Sequence, residues 1–140
     1  MTESTKESGR RFTLSVLPEL LAIARLDAGS AIPPWATAGR FFSVTRSADE
    51  VSIVCEAGRV PVGVKAQRGW RALKVHGPFD LSEVGVMAAL STALASDGVS
   101  VLAIATFDTD YLLVSGEQLQ MAIAALRNAG HQVEDPSGAE

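Results

Sequence analysis

An α+β fold made of two tandem βαββαβ modules, the first abbreviated, is what this 140-residue sequence predicts, on three observations. The second half alternates strand-patterned and helix-patterned segments in the order β-α-β-β-α-β, the ferredoxin-like arrangement of an antiparallel sheet with both helices on one face. Within it, the stretch from Gly98 to Val114 reads as two apolar strands separated by a short polar hinge, Phe107 to Asp110, that presents two carboxylates at a strand end. Finally, Val44 to Val54 can be laid without gaps over Ile104 to Val114. Asp49 and Glu50 then fall opposite Thr109 and Asp110, Val51 opposite Tyr111, and Ile53 opposite Leu113.

The elements are justified in chain order. Residues 1–11 and 135–140 are polar and without periodicity, and are expected to be disordered tails. An abbreviated module is expected over residues 12–66 and a complete one over 67–134. Phe12 to Leu17 and Leu20 to Leu26 read as strands around Pro18, which interrupts helical pairing, with helix as the alternative for the second. Ile32-Pro33-Pro34-Trp35 allows at most one helical turn. Phe41 to Thr45 and Val51 to Cys55 form a strand pair around residues 47–50, and Pro61 and Gly63 break the chain after it.

In the second half, a strand at Arg71 to His76 is closed by Gly77-Pro78. Asp80 and Glu83 then have capping-box spacing, which predicts a helix start there. Val84, Met87, Ala88, Ser91, Leu94 and Ala95 supply its apolar face, and Gly98 its left-handed end. Ser115 and Gln118 repeat the start signal. Leu119, Ala122, Ile123 and Leu126 mark the buried face of the second helix, and Gly130 ends it before a last strand around His131 to Glu134. A first module short of helices leaves one face of its sheet incompletely covered, to be buried against its neighbour or another chain.

Composition narrows the function. With 47% hydrophobic residues the chain can bury a core, and a net charge of −4 with scattered basic residues gives no footprint for nucleic acid. No apolar run approaches the roughly 20 residues that span a bilayer, and the polar start lacks a signal-peptide region, so a cytoplasmic protein without membrane partners is expected. The single cysteine, Cys55, lies in an apolar run and reads as a small buried hydrophobe.

Phe41-Phe42-Ser43-Val44-Thr45, Gly69 to Val75 and Ala105 to Val114 together resemble the small bacterial tandem ACT-domain proteins, over about residues 12–134. The last of these motifs, with Glu83-Val84-Gly85 upstream, is similar to a segment of the eukaryotic cytosolic arginine sensors, which are assembled from repeated ACT modules. The resemblance implies a non-catalytic regulatory module that binds a small amino acid at a module or subunit interface and couples occupancy to association. It also implies a homo-oligomer and a metabolic enzyme or regulator as a listening partner. Carried over by position, it implies ligand contacts from Glu83, Val84 and Gly85 at the helix start and from Thr106, Phe107 and Asp110 at the hinge.

Elementary chemistry points the same way. Free N–H groups and the dipole at a helix N-terminus favour a carboxylate, Gly85 permits close approach, and Glu83 and Asp110 can accept from an ammonium group. Each residue also has a plainer reading: Glu83 as the cap, Asp110 as a turn residue, Phe107 as packing, Thr106 as a strand former. A ligand-free interaction or dimerisation module is the alternative from another class. Catalysis is not indicated, because His76 and His131 have no nucleophile motif beside them. No metal-ligand spacing, calcium loop or phosphate-binding glycine motif occurs either, so no cofactor or metal is expected. Trp35 and Trp70 read as packing anchors.

Overall fold

The computed structural model describes residues 11–77 and 85–136. The two expected tails and the Asp80–Glu83 capping box lie mainly or wholly outside those residues. Contacts divide the chain into one unit of Glu19–Trp70 and another made of the described residues of 1–18 and 71–140.

Strands are numbered along the whole chain: β1 is Thr13–Val16, β2 Leu21–Asp27, β3 Ser43–Arg46, β4 Glu50–Glu56 and β5 Lys65–Val75. Across the Glu19–Trp70 unit the strand order is β3-β4-β2-β5, every neighbouring pair antiparallel. Short 3-10 turns at Pro34–Thr37 and Ala57–Arg59 stand where helices would cross over. One face of β4 is apolar in strict alternation, with Val51, Ile53 and Cys55 all buried. Ala36, with Ile32 and Trp35 beside it, packs against this face, so the proline-bounded turn does the covering that a helix does elsewhere.

The strand expected at Arg71–His76 begins earlier, at Lys65. Lys65, Gln67 and Arg68 give that stretch no apolar alternation, and what makes it a strand is backbone pairing with β2. Between Trp70 opposite Leu21 and Arg68 opposite Ala22, one residue is left over: Gly69, at φ +86°. This bulge requires a residue without a Cβ penalty in the left-handed region.

In the second unit, α1 (Val86–Ser96), β6 (Leu102–Ala105), β7 (Asp110–Ser115), α2 (Leu119–Asn128) and β8 (Gln132–Glu134) come after the end of β5. The strand order is β6-β7-β5-β1-β8. Here the structure departs from the sequence reading. Thr13–Val16, expected with the module of residues 12–66, pairs antiparallel with residues 73–75 and parallel with residues 132–134. It occupies the slot beside β5 that the plain βαββαβ order assigns to β8, and β8 moves one place outward, keeping its direction.

The core of this unit lies between that sheet and the two helices, where Leu14, Val75, Leu112 and Val114 meet Leu90 and Leu126. On α2 the expected face is the buried one: Leu119, Ala122, Ile123 and Leu126. On α1 it is so only in part. Leu94 is buried and Met87 packs against the core as expected, but Val86 and Leu90 take the other inward positions while Ala88 and Ala95 are exposed. A buried leucine contributes about 1.5–3 kcal/mol, more than an alanine, and that difference sets the helix rotation. The helix also starts later than the Asp80–Glu83 spacing predicts, since Gly85 precedes it at φ +92°, outside helical space. It ends as expected, with Gly98 N–H donating to Ala95 and Val99 N–H to Leu94.

The internal match between the two hairpins holds in kind but not in register. Val51 pairs with Arg46 and Asp110 with Ala105, so Asp110, not Tyr111, stands where Val51 does. The turns agree with this pairing. Ser47 N–H donates to Glu50 C=O at 2.9 Å, as Thr106 N–H does to Thr109 C=O at 2.8 Å. Each hydroxyl in turn receives backbone N–H groups from the far side of its turn. A displacement of one residue exchanges the two faces of a strand, and the core positions Leu112 and Val114 answer to Ile53 and Cys55 only in the structural register.

Two positions make this packing testable. Gly39 has φ +91°, and a Cβ there would lie 2.6 Å from Glu56 Oε2 and 2.8 Å from Arg59 Nε, displacing the carboxylate that accepts from Arg40 N–H. Gly39→Ala should therefore lower unfolding stability by about 1–3 kcal/mol in a denaturant titration. His131 is buried, and desolvation, assisted by Arg11, holds its imidazole below the ordinary value of 6.5. The folded chain thus binds this proton less readily than the unfolded chain. The contribution is fully present above pH 6.5 and is lost as pH falls below it, and His131→Gln should flatten that part of a stability-versus-pH curve.

Candidate functional site

The turn joining β6 to β7 is built by two threonines. Thr106 Oγ1 donates to Thr109 C=O at 2.9 Å and accepts from Thr109 N–H at 3.3 Å, closing the four-residue loop on itself. Thr109 is buried, and its hydroxyl donates to Val75 C=O, tying the hinge to β5. Neither role is one that β-propensity suggests. Thr106 is a turn-former rather than a plain strand residue.

The hinge residues point to different places. Asp110 opens β7, half-buried, on the face that continues through Leu112 and Val114 to the helices. Among the described residues its carboxylate makes no hydrogen bond or ion pair. Phe107 stands at the turn tip with 79% of its surface exposed, so it is not the core packing residue of the plainer reading. Gly85, at the start of α1, has open space where a Cβ would be, and the helix has no side-chain cap. Its first-turn N–H groups and dipole favour a negative group there. Glu83 and Val84 lie outside the described residues.

Thr106 lines a cavity of about 370 Å³ with Lys74, Gly77, Asp108, Thr109 and Tyr111. Lys74 alternates with the inward-facing Leu73 and Val75, and Tyr111 with Asp110 and Leu112, so this cavity opens on the sheet face away from the helices. Gly85 lines a separate groove of about 780 Å³ along the two helices, with Ala88, Ala89, Ala125 and His131 among its walls. No hinge residue is among the walls of that groove, so among the described residues Gly85 and the hinge line separate spaces. Sequence reasoning does not find Lys74 and Tyr111, because only the β5–β7 pairing, not spacing along the chain, brings them to one cavity.

The two histidines are structural in their contacts. His76 Nε2 lies 2.6 Å from Ser15 Oγ, which also donates to Glu134 at 3.0 Å. In a hydrolytic triad the acid orients the imidazole; here it holds the serine proton instead. His131 Nδ1 accepts from Phe12 N–H at 3.1 Å, with the two rings stacked. Cys55 is buried, and desolvation raises its thiol further from the reactive range. Among the described residues there is no group of three or more metal-ligating side chains, and no helix is long and apolar enough to cross a membrane.

Comparison with known proteins adds to this geometry. Residues 65–128 match the ACT domain family, and residues 19–63 match the N-terminal domain of a second family. The crystal structure of a protein from Agobacterium tumefaciens is similar at 38% identity and a TM-score of 0.86, covering 94% of this chain and 98% of that one. A Vibrio cholerae protein of unknown function, described as a possible transport protein, is similar at 20% identity and a TM-score of 0.73, over 90% and 96% of the two chains. The ligand-free regulatory subunit of aspartate kinase from Thermus thermophilus shares the fold at 12% identity and a TM-score of 0.59, over 84% and 97%. No functionally curated protein matches the chain.

Removing the Thr109 hydroxyl tests how the hinge is held. Thr109→Val keeps shape but leaves Val75 C=O without this donor, and should cost about 1–3 kcal/mol in denaturant unfolding; Thr106→Val, at a more exposed position, should cost less.

Proposed function

From the premise that this chain is an ACT-domain protein, we propose that it is a non-catalytic regulatory module that binds a small amino acid and couples occupancy to association. The observation that carries the reading is the carboxylate of Asp110, unpaired among the described residues, on the helix-bearing face of a hinge that Thr106 and Thr109 hold closed. The ligand carboxylate would lie at the uncapped start of α1, by Glu83, Val84 and Gly85. Its ammonium group would lie at Asp110, with Thr106 and Phe107 alongside. Aspartate kinase regulatory subunits of the same fold support a regulatory role.

The strand order of the Glu19–Trp70 unit, with β2, β3, β4 and the first part of β5 in βαββαβ sequence and 3-10 turns in place of helices, supports the tandem with an abbreviated first module. A path from occupancy to association runs through β6. Among the described residues this strand pairs only with β7, and Leu102, Ala103 and Ala105 on it are exposed and uncharged, an edge open to a second copy. Binding at the hinge would order the end of that same strand. Homo-oligomer formation and docking on a metabolic enzyme or regulator both use such an edge.

A ligand-free interaction module is the second reading, and exposed Phe107 beside this edge favours it. Thermal-shift screening of the twenty amino acids separates the two. A ligand at about one hundred times its Kd should stabilise the chain by about 2.7 kcal/mol, and Asp110→Ala should abolish the effect. Sedimentation equilibrium should show the same ligand shifting the association state. If no amino acid stabilises the protein at millimolar concentration, the sensor reading fails and the interaction module stands.

A further inference from the structure

The structure carries a second polar site, remote in sequence from the hinge, where the chain enters β1 and leaves α2. Here a cavity of about 380 Å³ is lined by Arg11, Phe12, Arg127, Gly130, His131 and Gln132. We propose that this cavity binds a small oxyanion, a phosphate or carboxylate group, between Arg11, Arg127 and the Nε2–H of His131.

Three observations lead there. The first is the imidazole. Phe12 N–H donates to Nδ1 at 3.1 Å and the Phe12 ring stacks on the imidazole at 5.6 Å, so in the neutral ring the proton is on Nε2. His131 is only 5% exposed, yet this Nε2–H has no partner among the described residues and is not sealed from solvent. An N–H that reaches solvent from a ring otherwise buried is open to an acceptor that enters the cavity.

The second is the pair of guanidinium groups. Arg11 makes no hydrogen bond or ion pair among the described residues, although a Cβ on Gly130 would lie only 3.7 Å from its Nε. Arg127 spends Nη2 on Val133 C=O at 2.6 Å and keeps its other donors. The third is the helix end. A C-terminal helix end ordinarily attracts cations to its free carbonyls, which would explain the arginines without a ligand. Three of the last four carbonyls are already occupied: Ala129 N–H donates to Ala125, His131 N–H to Leu126 and Gly130 N–H to Arg127. The arginines are left with unspent positive charge.

Arg11 also presses on His131 electrostatically, after desolvation, in the direction that disfavours its protonated form. Facing the imidazole are Arg11 before β1, Arg127 on α2, and, across the helix groove that His131 also lines, Asp97 at the end of α1. An oxyanion between the arginines opposes their field at the ring and so favours the protonated imidazole. The site shares no residue with the hinge, although His131 also lines the groove that Gly85 enters.

The experiment is an NMR titration of the imidazole signals of the full chain, with inorganic phosphate, acetate or chloride at matched ionic strength. Phosphate or acetate should raise the midpoint of the His131 titration and leave the signals of His76 in place. Arg11→Gln, which removes no hydrogen bond among the described residues, should weaken the effect roughly tenfold. A response to phosphate alone assigns the phosphate class, and a response to acetate alone assigns a carboxylate. If neither anion moves His131 at about 10 mM, or if Arg11→Gln responds as the parent does, the proposal is overturned.

Discussion

The second unit depends on a four-residue strand taken from the far end of the chain. β1 lies between β5 and β8, and its two inward residues, Leu14 and Val16, are fully or almost fully buried. Its ends are fastened by backbone bonds on both sides: His76 N–H to Thr13, Leu17 N–H to Ala72, and Gln132 N–H to Phe12. β8 has β1 as its strand partner, so the closing strand of the fold has no place until the opening one is laid down. The stacking of Phe12 on His131 and the bond from its N–H to Nδ1 fix the entry point. Contacts this remote in sequence carry a loop-closure cost that local contacts do not, which makes this unit the slower to assemble.

The same constraint separates the features that are legible in the residues from those that are not. Local signals are legible where the physics is local. Gly98 and Gly130 stop their helices in left-handed conformations, Ser115 accepts the Glu117 N–H at the second helix start, and the alternating Val51, Ile53 and Cys55 form a one-sided strand. Pairing partners are not local. Nothing in Thr13–Val16 says that it belongs with residues 73–75 rather than with its chain neighbours. Lys65–Trp70, polar and interrupted by Gly69, becomes a strand only because β2 lies beside it. The rotation of α1 escapes the sequence for a related reason, since a helix with many alanines has no sharp apolar face until Leu90 finds the core.

The candidate site divides along the same line. Asp110 and Thr106 are legible as hinge residues, since acids and hydroxyls between apolar runs are turn-formers by their own hydrogen bonding. Which face each takes is not, because a strand's facing depends on register. Thr109 emerges as the residue that ties the hinge to β5, and its signal in sequence is no stronger than that of any β-branched residue. Lys74 and Tyr111, and likewise Arg11, Arg127 and His131, converge from separate elements and leave no motif behind.

The register of the two hairpins bears on how many ligands one chain can hold. In the structural pairing the position of Asp110 in one hairpin is that of Val51 in the other. Val51 is completely buried in the apolar core of its unit, and the carboxylate of its neighbour Glu50 belongs to the opposite face of the strand. The acidic feature that would receive an ammonium group has therefore no counterpart in the first hairpin. Repetition of the strand pair does not repeat the acid, and a ligand held through this carboxylate would be held once per chain rather than twice.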